Sequence, residues 1–316
     1  MVEVIFLLLT VAGLIIFEIV SSIDNAVINA DVLSTMSKKA RRWFLFWGIL
    51  FAVFVVRGVL PFIIVYMLNP SLGFWGVMQA TLSGDTAVIA AIEMSAPPLL
   101  AGGGMFLVFL FFHWLFMEPK NYGLKGERYI HKKAIWFYAA VSVILSVTIW
   151  FAVHTNPIMA FGAVMGSTAF FIVHGFRQNA EQKEREMISD PKMSDWSKIM
   201  YLEVIDTTFS IDGVLGAFAF TLLVPLILIG NGIGAVVVRQ ITVSNIENVK
   251  KYKYLKNGAM YSVAFLGMIM LLDAFGAHIP SFVSPIVTVF IIVWFFLKSK
   301  RELAKTAPTK QMAVKK

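Results

Sequence analysis

Residues 4–25 read VIFLLLTVAGLIIFEIVSSIDN, an apolar run that ends in acidic, hydroxyl and amide side chains. A stretch of about 20 mostly apolar residues is long enough to cross the hydrocarbon core of a bilayer as a helix. No basic segment precedes the run and polar residues follow it directly, so we interpret it as a retained membrane span and not as a cleaved signal peptide. The carboxylates of Glu18 and Asp24 are therefore expected at membrane depth.

The remainder of the chain has the same apolar character. Of its 316 residues, 58% are hydrophobic and 15% are charged, and the apolar excess of such a composition must face lipid. The sequence predicts an all-α, polytopic transmembrane helical bundle of about nine spans. These predicted spans cover residues 4–35, 43–68, 99–117, 135–153, 157–176, 199–222, 224–242, 257–275 and 281–298.

Basic residues are confined to alternate connections between these spans. Apart from Arg57, every Lys and Arg falls within 38–42, 120–133, 177–198, 239–256 or 298–316. Because positively charged connections stay in the cytoplasm, the pattern predicts nine spans with the N-terminus outside and the C-terminus in the cytoplasm. We expect the protein in a prokaryotic plasma membrane. Topology therefore explains the net charge of +8, and nucleic acid is not an expected partner.

Residues 72–97 form a further apolar stretch that is long enough to span once. A tenth span would move the basic connection at 120–133 outside, so we predict a re-entrant pair of half-helices broken near Ser83 and Asp85. Irregular backbone at this depth is tolerated where it is buried in protein or lines a wet cavity. A helix lying in the outer interface is the alternative. Asp85 and Glu93 of this segment are candidates for an ion pathway.

One short motif occurs twice. Ser22-Ile23-Asp24 in the first span matches Ser210-Ile211-Asp212 in the sixth, and superposing the two pairs Glu18 with Asp206. The charge pattern has the first span entering the membrane from outside and the sixth from inside. The two copies of the motif are therefore expected to run in opposite directions.

The match continues downstream of the motif. Arg57 and Arg239 each lie nine residues after a glycine, and each ends the sequence Val-Val-Arg. Glu118 and Asp273 each lie thirteen residues after the methionine of a Gly-Gly-Met or Gly-Ala-Met triplet. We therefore predict two inverted three-span repeats, an architecture of transporters whose substrate sites lie where the copies meet. The predicted organisation is a first repeat (1–117), linking spans and cytoplasmic loops (118–198), a second repeat (199–276), and a last span with a basic tail (277–316).

The acidic residues of the motifs indicate a cation site. A carboxylate at membrane depth is costly and marks a functional site by default. Arg57 is the one cation that the charge pattern places among these acids, so it is a candidate counter-ion or gate, and a bound cation or protons must supply the remaining positive charge. The candidate metal ligands are Glu18, Asp24, Asn25, Glu203, Asp206 and Asp212. Ser22 and Ser210 join Asp85 and Glu93 as further candidates for the pathway.

The type of ligand limits the metal. The chain has no cysteine, so the ligands would be oxygen atoms, which suit Mg²⁺, Ca²⁺ or Mn²⁺. Residues six apart on an unbroken helix face different ways, so bringing Glu18 and Asp24 together requires unwinding at Ser22. The same unwinding is expected near Ser210 and Gly213. The alternative is that the acids pair with Arg57 and with interhelical polar groups as contacts between helices. No role is assigned to His113, His154, His174 and His278.

At these positions the sequence resembles the TerC family of membrane proteins, within the wider LysE-like transporter superfamily. The resemblance rests on Glu18…Ser22-Ile23-Asp24-Asn25 and on Glu203…Asp206…Phe209-Ser210-Ile211-Asp212, with Arg57 and Arg239 downstream, and covers 4–68 and 199–275. It implies an inverted-repeat bundle that exports Mn²⁺ or a related divalent ion, in a family named for an association with tellurium resistance. The stretch LSGDTAVIAAIEMSAPP and Gly213, where the family pattern has Ser, depart from it and leave the metal open.

Three functions follow as hypotheses. The first is a secondary transporter that exports a divalent cation, with Mn²⁺ as the substrate, protons as the coupling ion and no cofactor; no phosphate-binding loop motif indicates ATP hydrolysis. The second, an intramembrane aspartyl protease, lacks the Tyr-Asp and Gly-x-Gly-Asp motifs, so an enzyme is not expected. The third is a membrane scaffold or metal sensor of a tellurium or metal stress-response complex.

Overall fold

The computed structural model describes residues 2–48, 50–51, 57–68, 73–83, 96–189, 193–244 and 246–313. Every regular element within these ranges is helical. The helices are α1 (Val2–Ser21), α2 (Ile23–Ser34), α3 (Lys38–Trp43), α4 (Leu60–Leu68), α5 (Gly73–Ser83), α6 (Ala96–Phe116), α7 (Glu127–His131), α8 (Trp136–Thr155), α9 (Pro157–Ser189), α10 (Asp195–Ala217), α11 (Val224–Ser244), α12 (Ile246–Lys250), α13 (Leu255–Ala274) and α14 (Val283–Ala313). A π-helical turn over Phe44–Gly48 continues α3.

Seven of the described helices are long and apolar enough to cross a membrane. They are α1, α6, α8, α9, α11, α13 and α14. Helix α10 is also long, but it carries too many acidic residues to qualify by composition. The predicted span at 43–68 includes residues outside the described ranges, as do Asp85 and Glu93 of the predicted re-entrant segment. The helical membrane class is therefore confirmed, and the count of nine spans stays a prediction.

The first predicted span divides into α1 and α2 at Ser22. The backbone of Ser22 departs from helical geometry (φ −89°, ψ 2°), although its N–H still donates to Glu18 O at 3.1 Å. The break is thus a local bend at the predicted position. The matching break expected near Ser210 and Gly213 is wrong, because α10 is continuous there. Ser210 Oγ donates to the Asp206 carbonyl at 2.6 Å, a bond that a continuous helix accommodates.

Helix α9 is longer than the sequence predicts. The predicted span ends at residue 176, whereas the helix continues to Ser189 through residues that had been assigned to a cytoplasmic loop. This segment is rich in Arg, Gln, Glu and Lys, which are good helix formers, so nothing local ends the helix. The longer helix places Arg177 inside the bundle, where its side chain is largely buried.

The aligned helices of the two copies run in opposite directions. Phe17 on α1 lies against Gly216 on α10. Beyond the other end of α2, Lys198 Nζ of α10 donates to Thr35 Oγ1 at 2.8 Å. Residue numbers therefore rise along α1 and α2 as they fall along α10. Helices α6 and α13 show the same antiparallel order, with Gly103 against Met270. These directions are compatible with an inverted repeat, which stays a prediction. The orientation of the copies in a membrane stays a prediction.

Helix α6 lies at the centre of the bundle and packs closely on α9. The contact is made by glycines: a Cβ added to Gly166 would lie 1.9 Å from the Gly102 carbonyl oxygen, and one added to Gly162 would lie 2.3 Å from the Pro98 carbonyl oxygen. Because both obstacles are backbone atoms, they cannot move aside as a flexible side chain could. The absence of side chains at these positions therefore sets the distance between the two helices.

We expect Gly166→Ala to lower the melting temperature of the detergent-solubilised protein by several degrees, since overpacking of this kind costs roughly 1–3 kcal/mol. The matched control is Gly175→Ala on the same helix, where an added Cβ has no neighbour within 4 Å. Thermal unfolding of the two variants can be followed by size-exclusion chromatography. Equal melting temperatures would contradict the packing described here.

Candidate functional site

Glu18 is buried in the bundle and paired with Arg57. Arg57 Nε donates to Glu18 Oε1 at 3.1 Å, its Nη2 also contacts this oxygen, and Ser22 Oγ donates to the same atom at 2.9 Å. Glycines on two neighbouring helices leave room for the carboxylate. A Cβ added to Gly213 would lie 2.8 Å from Glu18 Oε2, and one added to Gly234 would lie 2.7 Å from the Glu18 Cβ. Arg57 is therefore ion-paired with Glu18, and its role as counter-ion or gate stays a prediction.

Asp206 on α10 is held by side chains from α2 and α11. Asn25 Nδ2 and Asn29 Nδ2 donate to Asp206 Oδ1 at 2.6 and 2.7 Å. Arg239 Nη2 donates to the other carboxylate oxygen, Oδ2. All four residues are buried, so the carboxylate has exchanged water for two amides and one guanidinium. Charge-assisted hydrogen bonds of this kind are the strong ones.

The π-helical turn after α3 holds Arg239 in place. Arg239 Nη1 donates to Phe44 O at 3.1 Å and Nη2 donates to Gly48 O at 3.2 Å. The guanidinium carbon lies 4.2 Å from the centre of the Phe44 ring. A Cβ on Gly48 would lie 2.1 Å from Glu203 Oε1, so in this arrangement glycine leaves room for the carboxylate. A π-helical turn is a common feature of functional sites in helices.

The two ion pairs occupy aligned positions of the repeat. Glu18 aligns with Asp206 and Arg57 aligns with Arg239, and each acid is paired with the arginine of its own copy. The copies differ at one contact. Asn25 donates to Asp206, whereas its aligned counterpart, Gly213, lies beside the Glu18 carboxylate and offers no side chain. The two sites therefore carry the same kinds of charged group, but the Asp206 site has an amide side chain that the Glu18 site lacks.

Asp212 has a third arginine as its partner. Arg177 Nη2 lies 2.8 Å from Asp212 Oδ1, and each side chain is 13% exposed. The sequence predicts Arg177 and Arg239 in basic cytoplasmic connections and Arg57 as the one cation among the acids. This prediction is wrong, because each of the three arginines is paired with one of the acids. Arg177 lies one residue past the span predicted over 157–176 and Arg239 lies inside the span predicted over 224–242. The error arises because a charge pattern groups cations by connection and does not show which of them are buried against an acid.

Several buried oxygens at this site have no hydrogen-bond donor. They are Asn25 Oδ1, Asn29 Oδ1, Asn231 Oδ1 and both carboxylate oxygens of Glu203. Glu203 Oε1 lies 3.8 Å from Arg239 Nη2, too far for a hydrogen bond. A buried acceptor without a donor costs about 1–3 kcal/mol, so these five atoms require an explanation. A metal cation or an ordered water would satisfy them.

A small cavity lies between the two ion pairs. Its volume is about 20 Å³, enough for one water-sized occupant. Its polar lining consists of Ser22, Asn25, Asn29, Arg57, Asp206 and Arg239 together with Thr242. The cavity therefore lies at the α1–α2 bend, where the two copies of the motif meet. Asn29, one helical turn after Asn25, is a lining residue that the sequence reasoning missed, although the four-residue spacing could have indicated it.

The predicted cage of carboxylates stays a prediction. In the part of the chain that the structure describes, no three His, Asp or Glu side chains lie close enough together to hold a metal ion. Glu18, Asp206 and Asp212 are instead each paired with an arginine, as the alternative of interhelical polar contacts expects. The Asp24 side chain, Asp85 and Glu93 lie outside the described set. Among the described residues, the partner of the Ser210 hydroxyl is the Asp206 carbonyl of its own helix.

The fold and these buried ion pairs define an integral membrane protein with several apolar helices. The chain belongs to the DUF475 family, described as proteins of unknown function, whose profile matches residues 23–305. It is also similar to the uncharacterized membrane protein YceF of Bacillus subtilis (strain 168), with 27% identity over 121 residues. That match covers 37% of this chain and 47% of the relative, so it spans about half the length of the relative. No solved structure gives a significant match.

We expect Arg239→Met to destabilise the protein by about 3–5 kcal/mol, because it leaves a buried carboxylate without its counter-ion. Adding Asp206→Asn should recover at least half of that loss. The measurement is urea unfolding in detergent. As a control, Lys183→Met removes an exposed pair with Glu186 and should leave the unfolding midpoint unchanged. A double variant less stable than the single one would contradict the assignment of this pair.

Proposed function

We propose that this protein is a secondary transporter that exports a divalent metal cation, with its site where the two copies of the motif meet. The observation that carries the proposal is the group of buried oxygens without donors around Asn25, Asn29 and Glu203. They lie beside carboxylates in a region that the sequence places in the membrane. Carboxylate and amide oxygens are the ligands that hard divalent ions prefer.

The charge balance supports a divalent substrate. The duplicated motifs contain five carboxylates, those of Glu18, Asp24, Glu203, Asp206 and Asp212. In the described part of the chain, three arginines contact them. If all five acids were ionised, five negative charges would face three positive ones, and the difference of two equals the charge of one divalent cation. Protons on two of the acids would give the same balance, so the transported ion and protons can replace one another.

The arginines provide a means of exchange. A cation that binds the Asp206 carboxylate competes with Arg239 for the same oxygens. Arg239 already donates to the Phe44 and Gly48 carbonyls, so it can give up the carboxylate and remain hydrogen-bonded. In this proposal the guanidinium is a tethered cation that occupies the carboxylate when the substrate does not. The bend at Ser22 lets the two halves of the first span move separately, as alternating access requires.

Several details come from the sequence alone. The resemblance to the TerC family suggests Mn²⁺ as the substrate and an inverted-repeat bundle as the architecture. The charge pattern suggests the plasma membrane, an external N-terminus and a cytoplasmic C-terminus. Protons are the proposed coupling ion, and no enzymatic activity is proposed.

We expect expression of the protein in manganese-sensitive cells to lower cellular Mn, measured by mass spectrometry. Asp24→Asn and Asp212→Asn should reduce this effect by about tenfold or more, the scale on which loss of a group around a metal lowers affinity. The matched control is Asp31→Asn on α2, whose side chain is about half exposed and pairs with Lys250 at the surface. Its effect on cellular Mn should equal that of the wild type.

Two outcomes would contradict the proposal. If the wild type reaches the membrane folded and leaves cellular Mn unchanged, Mn²⁺ export is wrong. If the purified wild type binds Mn²⁺ but moves none in liposomes, the scaffold or sensor hypothesis replaces the transporter.

A further inference from the structure

A second and much larger cavity also borders the α1–α2 bend. Its volume is about 540 Å³, many times the space that one water needs. It lies between α6, α9, α10 and α13 and reaches Ser21, the neighbour of the Ser22 that lines the small cavity. The charge pattern assigns this end of α6 and α9 to the cytoplasm. We call it the vestibule; its ionisable lining residues are His113, Glu118, His174, Arg177, Asp212 and Lys256.

Two histidines form the centre of the vestibule wall. The ring centres of His113 and His174 lie 3.9 Å apart. His113 Nδ1 lies 3.4 Å from Glu118 Oε1, and His174 Nε2 lies 3.1 Å from Gln178 Nε2. Lys256 Nζ lies 2.8 Å from the other Glu118 oxygen. The polar groups therefore form a continuous series along the wall.

The series ends close to the Arg177–Asp212 ion pair. His174 and Arg177 are three residues apart on α9, so their side chains share a face of the helix. A positive charge on His174 therefore acts directly on this ion pair. Since the ion pair lies beside the proposed cation site, the two imidazoles and the cation site can influence one another through charge.

The charges of the wall suit a proton better than a metal ion. Glu118 and Asp212 are balanced by Arg177 and Lys256, so with neutral histidines the wall has no net charge to attract a divalent cation. Burial alone would raise the pKa of the Glu118 carboxyl, but His113 and Lys256 outweigh it and hold that pKa well below its ordinary range. Glu118 thus stays ionised as an acceptor at neutral pH.

Lys120 is a further cation near the wall, and it does not change the choice of proton carrier. Burial lowers the pKa of Lys120 to about 8, so it keeps most of its charge at neutral pH, and its ammonium group donates to the Trp114 and Leu115 carbonyls. Histidine is the residue type most often used to carry a proton near neutral pH, and the wall contains two of them.

We propose that the vestibule is the cytoplasmic proton exit of the transporter, in which His113 and His174 carry the exchanged proton and Glu118 stabilises it. The inference rests on the proposed function and names its coupling ion and route. A cation that binds at the small cavity raises the positive potential at the Arg177–Asp212 ion pair beside it. An imidazolium N–H then breaks, its proton passes to cavity water, and the ring remains as neutral imidazole. When a proton returns to the two histidines, its positive charge repels the bound cation.

The test uses purified protein in liposomes with Mn²⁺ as the probe. Two rates are measured: Mn²⁺ accumulation driven by a pH gradient, and exchange of radiolabelled Mn²⁺ at equal pH on both sides. We expect His113→Gln and His174→Gln to lower the first rate at least tenfold and to leave the second within twofold. The dependence of the first rate on pH between 5 and 8 should flatten in both variants. His154→Gln, at an exposed histidine on α8, is the matched control and should change neither rate.

The outcomes separate this inference from the proposed function. If the wild type exchanges no Mn²⁺ at equal pH, both fail. If the wild type exchanges Mn²⁺ and the histidine variants keep the pH-driven rate, the proton exit is wrong and the transport proposal stands. Because exchange at equal pH also reports folding, a variant that loses both rates is replaced by Glu118→Gln. Loss of this carboxylate makes the protonated histidine pair less stable, so the pH profile of the first rate should shift to lower pH. An unshifted profile would overturn the inference.

Discussion

A carboxylate that leaves water for the interior of a membrane protein needs a positive charge nearby, or it must take up a proton. Glu18, Asp206 and Asp212 meet this constraint with one arginine each. The partners are 39, 33 and 35 residues away along the chain, so each pair joins different helices. Two of the pairs therefore link α10 to α9 and α11, and the third links α1 to the segment that leads into α4.

Glycine makes these buried pairs possible. Gly213 and Gly234 leave space for the Glu18 carboxylate, and Gly48 lets Glu203 and Arg239 approach the π-helical turn. At Gly213 and Gly48 a single added carbon would lie close to a charged group, and at Gly234 it would lie close to the aliphatic part of Glu18. The same residue type that brings membrane helices close together thus also creates room for charge between them.

The α1–α2 bend borders two cavities of different character. The small one lies between the duplicated ion pairs and is lined by amide and carboxylate oxygens. The vestibule is large, has balanced fixed charges and contains the histidine pair. Their positions beside Ser21 and Ser22 suggest separate routes for a cation and a proton, coupled through the bend that both border.

The sequence by itself determined the class of protein, the position of the bend and the identity of the acids, because these depend on local composition and on a motif that occurs twice. The alignment also pairs Arg57 with Arg239, and both prove to be ion-paired. Only the tertiary structure showed that Arg177 pairs with Asp212, that Asn29 lines the small cavity and that His113 and His174 lie together in the vestibule. The reason is physical: a helix that is apolar on all sides carries no periodic signal of which face meets which neighbour, so contacts between distant residues appear only once the helices are packed.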